Sequence, residues 1–90
     1  MSDFKSHLQE QLKDPSFAKE WERLRPEREY IKAIIAARIE KNLTQKELAQ
    51  RTGIRQSNIS RIENGKSSPT VATLQQIACG LSKTLHIEFR

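Results

Sequence analysis

Residues 44–67 constrain the fold most, because they carry the signals of two short helices joined by a tight turn. Thr44 and Glu47 have the spacing of a capping box, in which each side chain accepts a hydrogen bond from the backbone N–H of the other residue. Gly53 supplies the backbone conformation that a sharp exit from the first helix requires. The second helix is predicted over residues 56–64.

The second helix has two chemically different faces. At about 100° per residue, Ile59 and Ile62 lie on one side, which we expect to be buried. The opposite side lacks the lysine and glutamate mixture of an ordinary surface helix and has amide, hydroxyl and guanidinium groups instead: Gln56, Ser57, Ser60, Arg61 and Asn64. Because such groups hydrogen-bond to the edges of bases, this face predicts a helix that recognises a DNA sequence.

Base and phosphate contacts can be assigned separately. We expect Gln56, Ser57 and Arg61 to contact bases. The segment after the helix, Gly65-Lys66-Ser67-Ser68, offers backbone N–H groups and a cation that suit a phosphate. The predicted phosphate contacts are Gln45, Asn58, Asn64, Lys66 and Ser67. Arg55 stands where the second helix needs an N-cap, and arginine is a poor N-cap, so its role as a cap or as a fourth base contact stays open.

These residues resemble the helix-turn-helix domain of phage-repressor (XRE) type. The resemblance covers roughly residues 30–81, and it rests on Thr44-Gln45, Glu47-Leu48-Ala49, Gly53, Gln56-Ser57, Ile59-Ser60 and Ile62-Glu63-Asn64-Gly65. It implies an all-α fold that binds DNA. It also implies an ion pair between Arg38, within a buried helix stripe, and Glu63; an Arg38 side chain that extends to solvent is the alternative.

The charge of the chain is unevenly distributed. The 90 residues include 16 Lys and Arg against 11 Asp and Glu, which gives a net charge of +5. Residues 1–26 hold five basic and five acidic residues, whereas residues 27–90 hold eleven and six. The whole basic excess therefore lies in the segment with the two helices, which favours a polyanionic partner.

Residues 1–26 are expected to form a helical arm ahead of a DNA-binding domain at 27–90. Helices are predicted over 2–13 and 15–24, with Asp14 as N-cap and Pro15 as first residue of the second. Apolar residues recur on their faces: Phe4, Leu8, Leu12, Phe17, Trp21 and Leu24. Two interpretations stay open, since these side chains either pack on the domain behind them or anchor a protein partner, as aromatic residues often do.

The rest of the domain is predicted to be two helices and a strand. A helix over 27–42 buries Ile31, Ile34, Ile35 and Ile39, and a helix over 70–79 starts at Thr70. Residues 84–89 then alternate apolar and polar side chains, which predicts a strand. Because its edge would be unpaired, we expect a homodimer ribbon through Leu85, Ile87 and Phe89. Four helices are located in this way, and the fold we expect is a five-helix repressor-like domain with an N-terminal helical arm and a short C-terminal β-strand for dimerisation.

Several classes of function are disfavoured. His7 and His86 have no ligand-type neighbours at metal-binding spacing, and we find no glycine-rich phosphate loop or nucleophile motif, so we expect no enzyme, no metal and no cofactor. No apolar run suits a signal peptide or a membrane span. The single Cys79, predicted to be buried, fits a reducing compartment, so we expect a cytoplasmic protein.

With the arm included, the chain resembles a HigA-type antitoxin. The residues concerned are Asp14-Pro15-x-Phe17 and Glu20-Trp21-Glu22-x-Leu24-x-Pro26-Glu27. The resemblance implies an antitoxin that blocks a HigB-type toxin, a small RelE-like mRNA-cleaving ribonuclease, and represses its own operon. Toxin contacts would come from Leu8, Leu12, Phe17, Trp21 and Leu24. A stand-alone transcriptional repressor and a protein-interaction module that does not bind DNA are the alternatives.

Overall fold

The computed structural model describes residues 2–90, with the side chains of residues 2–4 excepted, and these residues form six α-helices. The helices are α1 (Ser2–Leu12), α2 (Pro15–Arg23), α3 (Arg25–Glu40), α4 (Gln45–Thr52), α5 (Gln56–Glu63) and α6 (Val71–Gly80). Phe4, one of the predicted apolar arm residues, has its side chain outside the described part. None of the six helices is both long enough and apolar enough to cross a membrane.

Local side-chain caps begin three of the helices. Asp14 accepts a hydrogen bond from the Ser16 N–H at the start of α2, where Pro15 occupies the first turn. At the start of α4 the capping box of Thr44 and Glu47 is complete, with both hydrogen bonds at 3.0 Å. Thr70 accepts from the N–H of Thr73, the third residue of α6. These helix starts therefore follow from residues within one turn of each cap.

Left-handed residues end four of the helices. Gly53 after α4 has a φ of +75°, and Gly65 after α5 has a φ of +71°. Asn42 and Ser82 take the same region after α3 and α6, at +57° and +56°. After α3, α5 and α6, a backbone N–H beyond the helix end donates to a carbonyl in the last turn of that helix. The N–H of Leu43 donates to the carbonyl of Arg38, that of Lys66 to Arg61, and that of Lys83 to Ala78.

The hydrophobic core lies where α4 meets α5 and α6, with α3 closing it. Its buried members are Ile34, Leu43, Leu48, Ile59, Ile62, Ile77 and Leu81, and Tyr30, Ala37, Ala49, Ile54 and Leu74 pack partly against it. Leu48, Ile59 and Ile77 are at most 1 % exposed, and burying each is worth about 1.5–3 kcal/mol. The core thus holds α4 and α5 in a fixed relation.

The arm lies outside this core. α1 packs on α2, and α2 packs on α3. The turn between α2 and α3 is a single residue, Leu24, so α3 begins at Arg25, two residues before the predicted start at residue 27. Pro26 is tolerated in the first turn of α3 because the backbone N–H it lacks would have no partner there.

The prediction of a C-terminal strand at 84–89 is wrong. This segment has no regular secondary structure in the described chain, and four helices follow the arm instead of five. The alternation of apolar and polar residues describes side-chain faces only, whereas a strand also needs a second strand to accept and donate its backbone hydrogen bonds. Without one, Ile87 and Phe89 are 57 % and 98 % exposed.

The predicted burial of Cys79 is also wrong, because its thiol is exposed. The buried side of α6 is set by Ile77, with Leu74 partly buried on the same face. Cys79 lies two residues beyond Ile77, about 200° further around the helix, and so it faces away from the core.

Candidate nucleic-acid interface

The turn between α4 and α5 is held by a buried threonine. The Thr52 hydroxyl donates to the Leu48 carbonyl at 2.9 Å and accepts from the Ile54 N–H at 3.2 Å. Ile54 packs partly against the core, and Gly53 makes the left-handed exit. Sequence reasoning missed Thr52, although a threonine four residues after a buried leucine has the spacing for a bond back to the i−4 carbonyl.

α5 presents its polar residues to solvent because its apolar residues are in the core. Ile59 and Ile62 are 1 % and 3 % exposed. On the other side, Gln56, Ser57, Asn58, Arg61 and Asn64 are exposed, and Ser60 is half-buried. The Asn64 amide donates to the Ser60 hydroxyl at 3.4 Å. The structure therefore brings the residues predicted to contact bases onto one accessible face, and we call α5 the recognition helix.

Arg55 occupies the N-cap position of the recognition helix but makes no side-chain cap. Its backbone is extended (φ −60°, ψ 139°), and no hydrogen bond joins its side chain to the first turn of α5. Of the two roles left open by the sequence, capping is therefore not the one adopted. Its side chain is exposed at the start of α5.

A cleft of about 450 Å³ with both polar and apolar lining residues lies beside the start of the recognition helix. Arg55 and Asn58 line one wall, and Ser67, Ser68 and the start of α6 line the other. The Ser67 carbonyl accepts from the Tyr30 hydroxyl at 3.4 Å. Burial, with the nearby Glu27 carboxylate, raises the pKa of Tyr30, so this hydroxyl remains a donor at neutral pH.

Positive charge at this surface is uncompensated. Arg55, Arg61 and Lys66 are exposed and form no ion pair with any side chain that the structure describes. Lys66 directly follows Gly65, whose left-handed conformation turns the chain away from the recognition helix. The basic groups predicted from the sequence therefore remain available to a polyanion.

The structure brings Arg38 and Glu63 together. The guanidinium donates through Nε and Nη2 to the two carboxylate oxygens, at 2.9 and 3.0 Å, and its Nη1 donates to the Leu43 carbonyl at 3.0 Å. The two side chains are only 17 % and 5 % exposed. A bidentate pair of this kind is among the stronger polar contacts in proteins.

Gln45, predicted to contact a phosphate, belongs to the same network. Its Nε2 donates to Oε1 of Glu63 at 3.1 Å. No pattern in the sequence connects these two residues, which are 18 positions apart. Their contact depends on how α4 and α5 pack.

Two of the predicted toxin-binding residues, Phe17 and Trp21, contact each other on the arm. The rings of Phe17 and Trp21 stack with centroids 6.3 Å apart and an interplanar angle of 17°. The guanidinium of Arg28 lies 3.5 Å from the Trp21 ring centroid, and its Nη1 donates to the Trp21 carbonyl at 2.5 Å. Leu8 and Leu12 are half-buried, and Leu24 is 36 % exposed. Trp21 therefore packs against α3 without entering the core, and Arg28 is a contact that sequence reasoning missed.

The residues predicted to form the dimer strand are not brought together. Leu85 is half-buried beside an apolar groove of about 270 Å³ between α3 and α6, whereas Ile87 and Phe89 extend into solvent.

Comparisons with known proteins agree with this geometry. A family model described as Helix-turn-helix matches residues 34–87. Antitoxin HigA1 of Mycobacterium tuberculosis is 38 % identical over 74 residues, which are 82 % of this chain and 50 % of the relative. An uncharacterized HTH-type transcriptional regulator of Haemophilus influenzae is 39 % identical over 57 residues, 63 % of this chain and 58 % of the relative. The resemblance to HigA-type antitoxins is thus confirmed.

The chain spans about half the length of the curated antitoxins it matches. No solved structure matches it significantly. A match of 74 residues in a chain of 90 must begin at or before residue 17, so it includes at least the part of the arm from Phe17 onward.

Proposed function

This chain belongs to the helix-turn-helix family of DNA-binding regulators, and on that premise we propose that it is an antitoxin that represses its own operon. In this proposal the recognition helix binds operator DNA, and the N-terminal arm binds and neutralises a HigB-like RNA-cleaving toxin. The observation that carries the DNA-binding half is the exposed amide, hydroxyl and guanidinium face of α5, opposite the buried Ile59 and Ile62.

The chemistry of that face suggests how an operator would be recognised. Gln56 suits adenine, Arg61 suits guanine through a bidentate contact, and Ser57 suits either base. Arg55 would approach the DNA at the start of the helix, beside the cleft that it lines. The phosphate contacts would come from Gln45, Asn58, Asn64, Lys66 and Ser67. Two copies of the chain on a palindromic operator would place two recognition helices about 34 Å apart.

Base contacts and phosphate contacts can be separated by experiment, with a duplex selected from a randomised pool as the operator probe. Arg61→Ala should weaken binding by about 1–3 kcal/mol and relax the preference at one base position. Lys66→Ala should weaken binding to all duplexes alike and reduce the slope of log K against log salt by about one unit. Arg23→Ala, which removes the same charge from α2, is the matched control. Full sequence discrimination by the Arg61→Ala protein would show that Arg61 does not contact a base.

The toxin-binding half of the proposal is supported by the arm. Residues 1–26 have no net charge, unlike the basic domain that follows, and they carry the stacked Phe17 and Trp21 rings outside the core. The similarity to the antitoxin of M. tuberculosis extends into this segment. We therefore propose that residues 1–26 form a separate binding unit, with the toxin contacting Leu8, Leu12, Phe17, Trp21 and Leu24.

A double change in the full chain tests this half. Trp21→Ala with Leu24→Ala should abolish copurification with the toxin encoded beside this gene, while operator affinity stays within about twofold. Val71→Ala, which truncates an exposed apolar residue of α6, is the control and should leave toxin binding unchanged. Retained toxin binding by the double variant would place the toxin contact elsewhere.

A regulator that has no toxin partner is the second candidate. It is favoured by the relatives whose names describe HTH-type transcriptional regulators. Under this alternative the arm serves only to cover α3. A neighbouring gene that encodes no small ribonuclease, with an operator-binding chain that purifies alone, would support it.

A further inference from the structure

Glu63 has more hydrogen-bond partners than its ion pair needs. The bidentate contact with Arg38 already engages both carboxylate oxygens, and the amide of Gln45 adds a third donor at Oε1. The three residues come from three elements: Arg38 from α3, Gln45 from the first position of α4, and Glu63 from the end of the recognition helix. The network therefore connects a predicted phosphate contact to the helix that is predicted to contact bases.

Protein stability alone does not explain the Arg38–Glu63–Gln45 network. Well-packed apolar side chains often replace a buried ion pair with no loss of stability. The Gln45 contact also orders a side chain that is only half-buried, which costs conformational entropy. A role in binding would account for both features.

The carboxylate also determines the orientation of the Gln45 amide. An ionised carboxylate has acceptors only, so the Gln45 side chain must turn its NH₂ group toward Glu63. That NH₂ group keeps a second N–H, and this donor is then held in one direction before any DNA is bound. Ordering that precedes binding reduces the entropy lost when the complex forms.

We propose that Glu63, fixed by Arg38, is a positioning residue for DNA binding that acts through Gln45. Glu63 holds the Gln45 amide in the orientation that donates to a DNA phosphate, and so sets this phosphate contact in register with the base contacts of the recognition helix. The inference rests on the proposed DNA-binding function. It predicts that the contribution of Gln45 to affinity depends on the Arg38–Glu63 pair.

A mutant cycle measures that dependence. The four proteins are the wild type, Gln45→Ala, the double variant Arg38→Met with Glu63→Met, and the triple variant. Removing both members of the pair leaves the net charge at +5, so the general attraction to DNA is unchanged. Dissociation constants for the selected duplex would come from fluorescence anisotropy, and urea denaturation would establish that each protein is folded.

We expect Gln45→Ala to weaken binding by roughly tenfold in the wild-type background, as for a hydrogen bond to a charged group. In the Met/Met background the same change should weaken binding by less than about twofold. The control background is Glu40→Gln with Lys83→Gln, which removes an exposed ion pair and also leaves the net charge unchanged. There Gln45→Ala should keep its full effect.

Other outcomes have distinct meanings. An equal loss from Gln45→Ala in the wild-type and Met/Met backgrounds, or no loss in the wild type, would overturn the inference while leaving DNA binding by the recognition helix intact. A wild-type protein that prefers no duplex would instead contradict the proposed function itself.

A measurement on the wild type covers the case in which the Met/Met protein does not fold. The side-chain amide of Gln45 should have a high ¹⁵N order parameter in the DNA-free protein, well above those of Gln50 and Gln75, which are exposed. A Gln45 amide as mobile as these two would overturn the inference, because no orientation would then be set before binding.

Discussion

Replacing Gly80 by alanine should destabilise this protein, although alanine is the better helix former. Gly80 lies in the last turn of α6, where this helix packs on α4. A Cβ atom at Gly80 would lie 2.5 Å from Cγ2 of Thr52 and 3.5 Å from Cδ1 of Leu48. Because carbon atoms in contact are about 3.5–4.0 Å apart, the Thr52 contact requires a shift of about 1 Å.

Thr52 is poorly able to make that shift. It is 8 % exposed, and its hydroxyl bonds both the Leu48 carbonyl and the Ile54 N–H. Overpacking of this kind costs about 1–3 kcal/mol, and alanine recovers up to about 1 kcal/mol of helix propensity. We therefore expect a net loss of about 1 kcal/mol, which would lower the melting temperature by roughly 4–8 °C in a domain of this size.

Urea denaturation followed by circular dichroism measures the loss, and Thr52→Ser provides the matched background. Serine keeps the hydroxyl that holds the turn but removes the Cγ2 methyl that meets the new Cβ. Gly80→Ala should therefore be neutral or stabilising in the serine background, with a coupling energy of about 1–2 kcal/mol between the two sites. An equal loss in both backgrounds, or a gain in the wild type, would refute the reasoning.

Three further changes test other parts of the structure. Ser82→Gly should stabilise the protein by about 0.5–1 kcal/mol in urea denaturation, because Ser82 has a φ of +56°; a loss would show that its side chain contributes to folding. Arg38→Ala should cost about 3–5 kcal/mol by leaving buried Glu63 unpaired, whereas methionine at both positions should cost little; equal losses in thermal unfolding would contradict this. The backbone hydrogen bond from Thr44 lowers the pKa of Glu47, so its contribution is present above the ordinary glutamate pKa and is lost as the pH falls through the lowered value. Urea midpoints of the wild type and Glu47→Ala should thus differ at pH 7 and converge once the pH falls below the lowered pKa. A difference that stays constant with pH would show that the Glu47 carboxylate does not stabilise the cap.

Much of the candidate site was predictable because its signals are local. The capping box at Thr44 and the left-handed exit at Gly53 each depend on residues within one turn, and both are present as expected. The exposed face of the recognition helix follows from the positions of Ile59 and Ile62, since burying these two side chains leaves the opposite side accessible.

The arm contains a contact that helical periodicity did not predict. The apolar spacing in α2 predicted an amphipathic helix, but it left open whether Trp21 packs on the domain or faces a partner. The structure places Trp21 between Phe17 and Arg28, and Arg28 lies across a helix break from it. No periodic pattern continues through such a break, so this contact was not predictable.

The sequence by itself determined the order of the helices, most of their ends, and the face of α5 that is available to DNA. These properties depend on helical periodicity and on hydrogen bonds between residues close in the chain. Only the tertiary structure decided that residues 84–89 form no strand within one chain, that α6 turns Cys79 outward, and that Gln45 meets Glu63 across 18 positions. The physical reason is that a strand, a buried face and a long-range hydrogen bond each require a second element at a definite distance, and packing alone sets that distance.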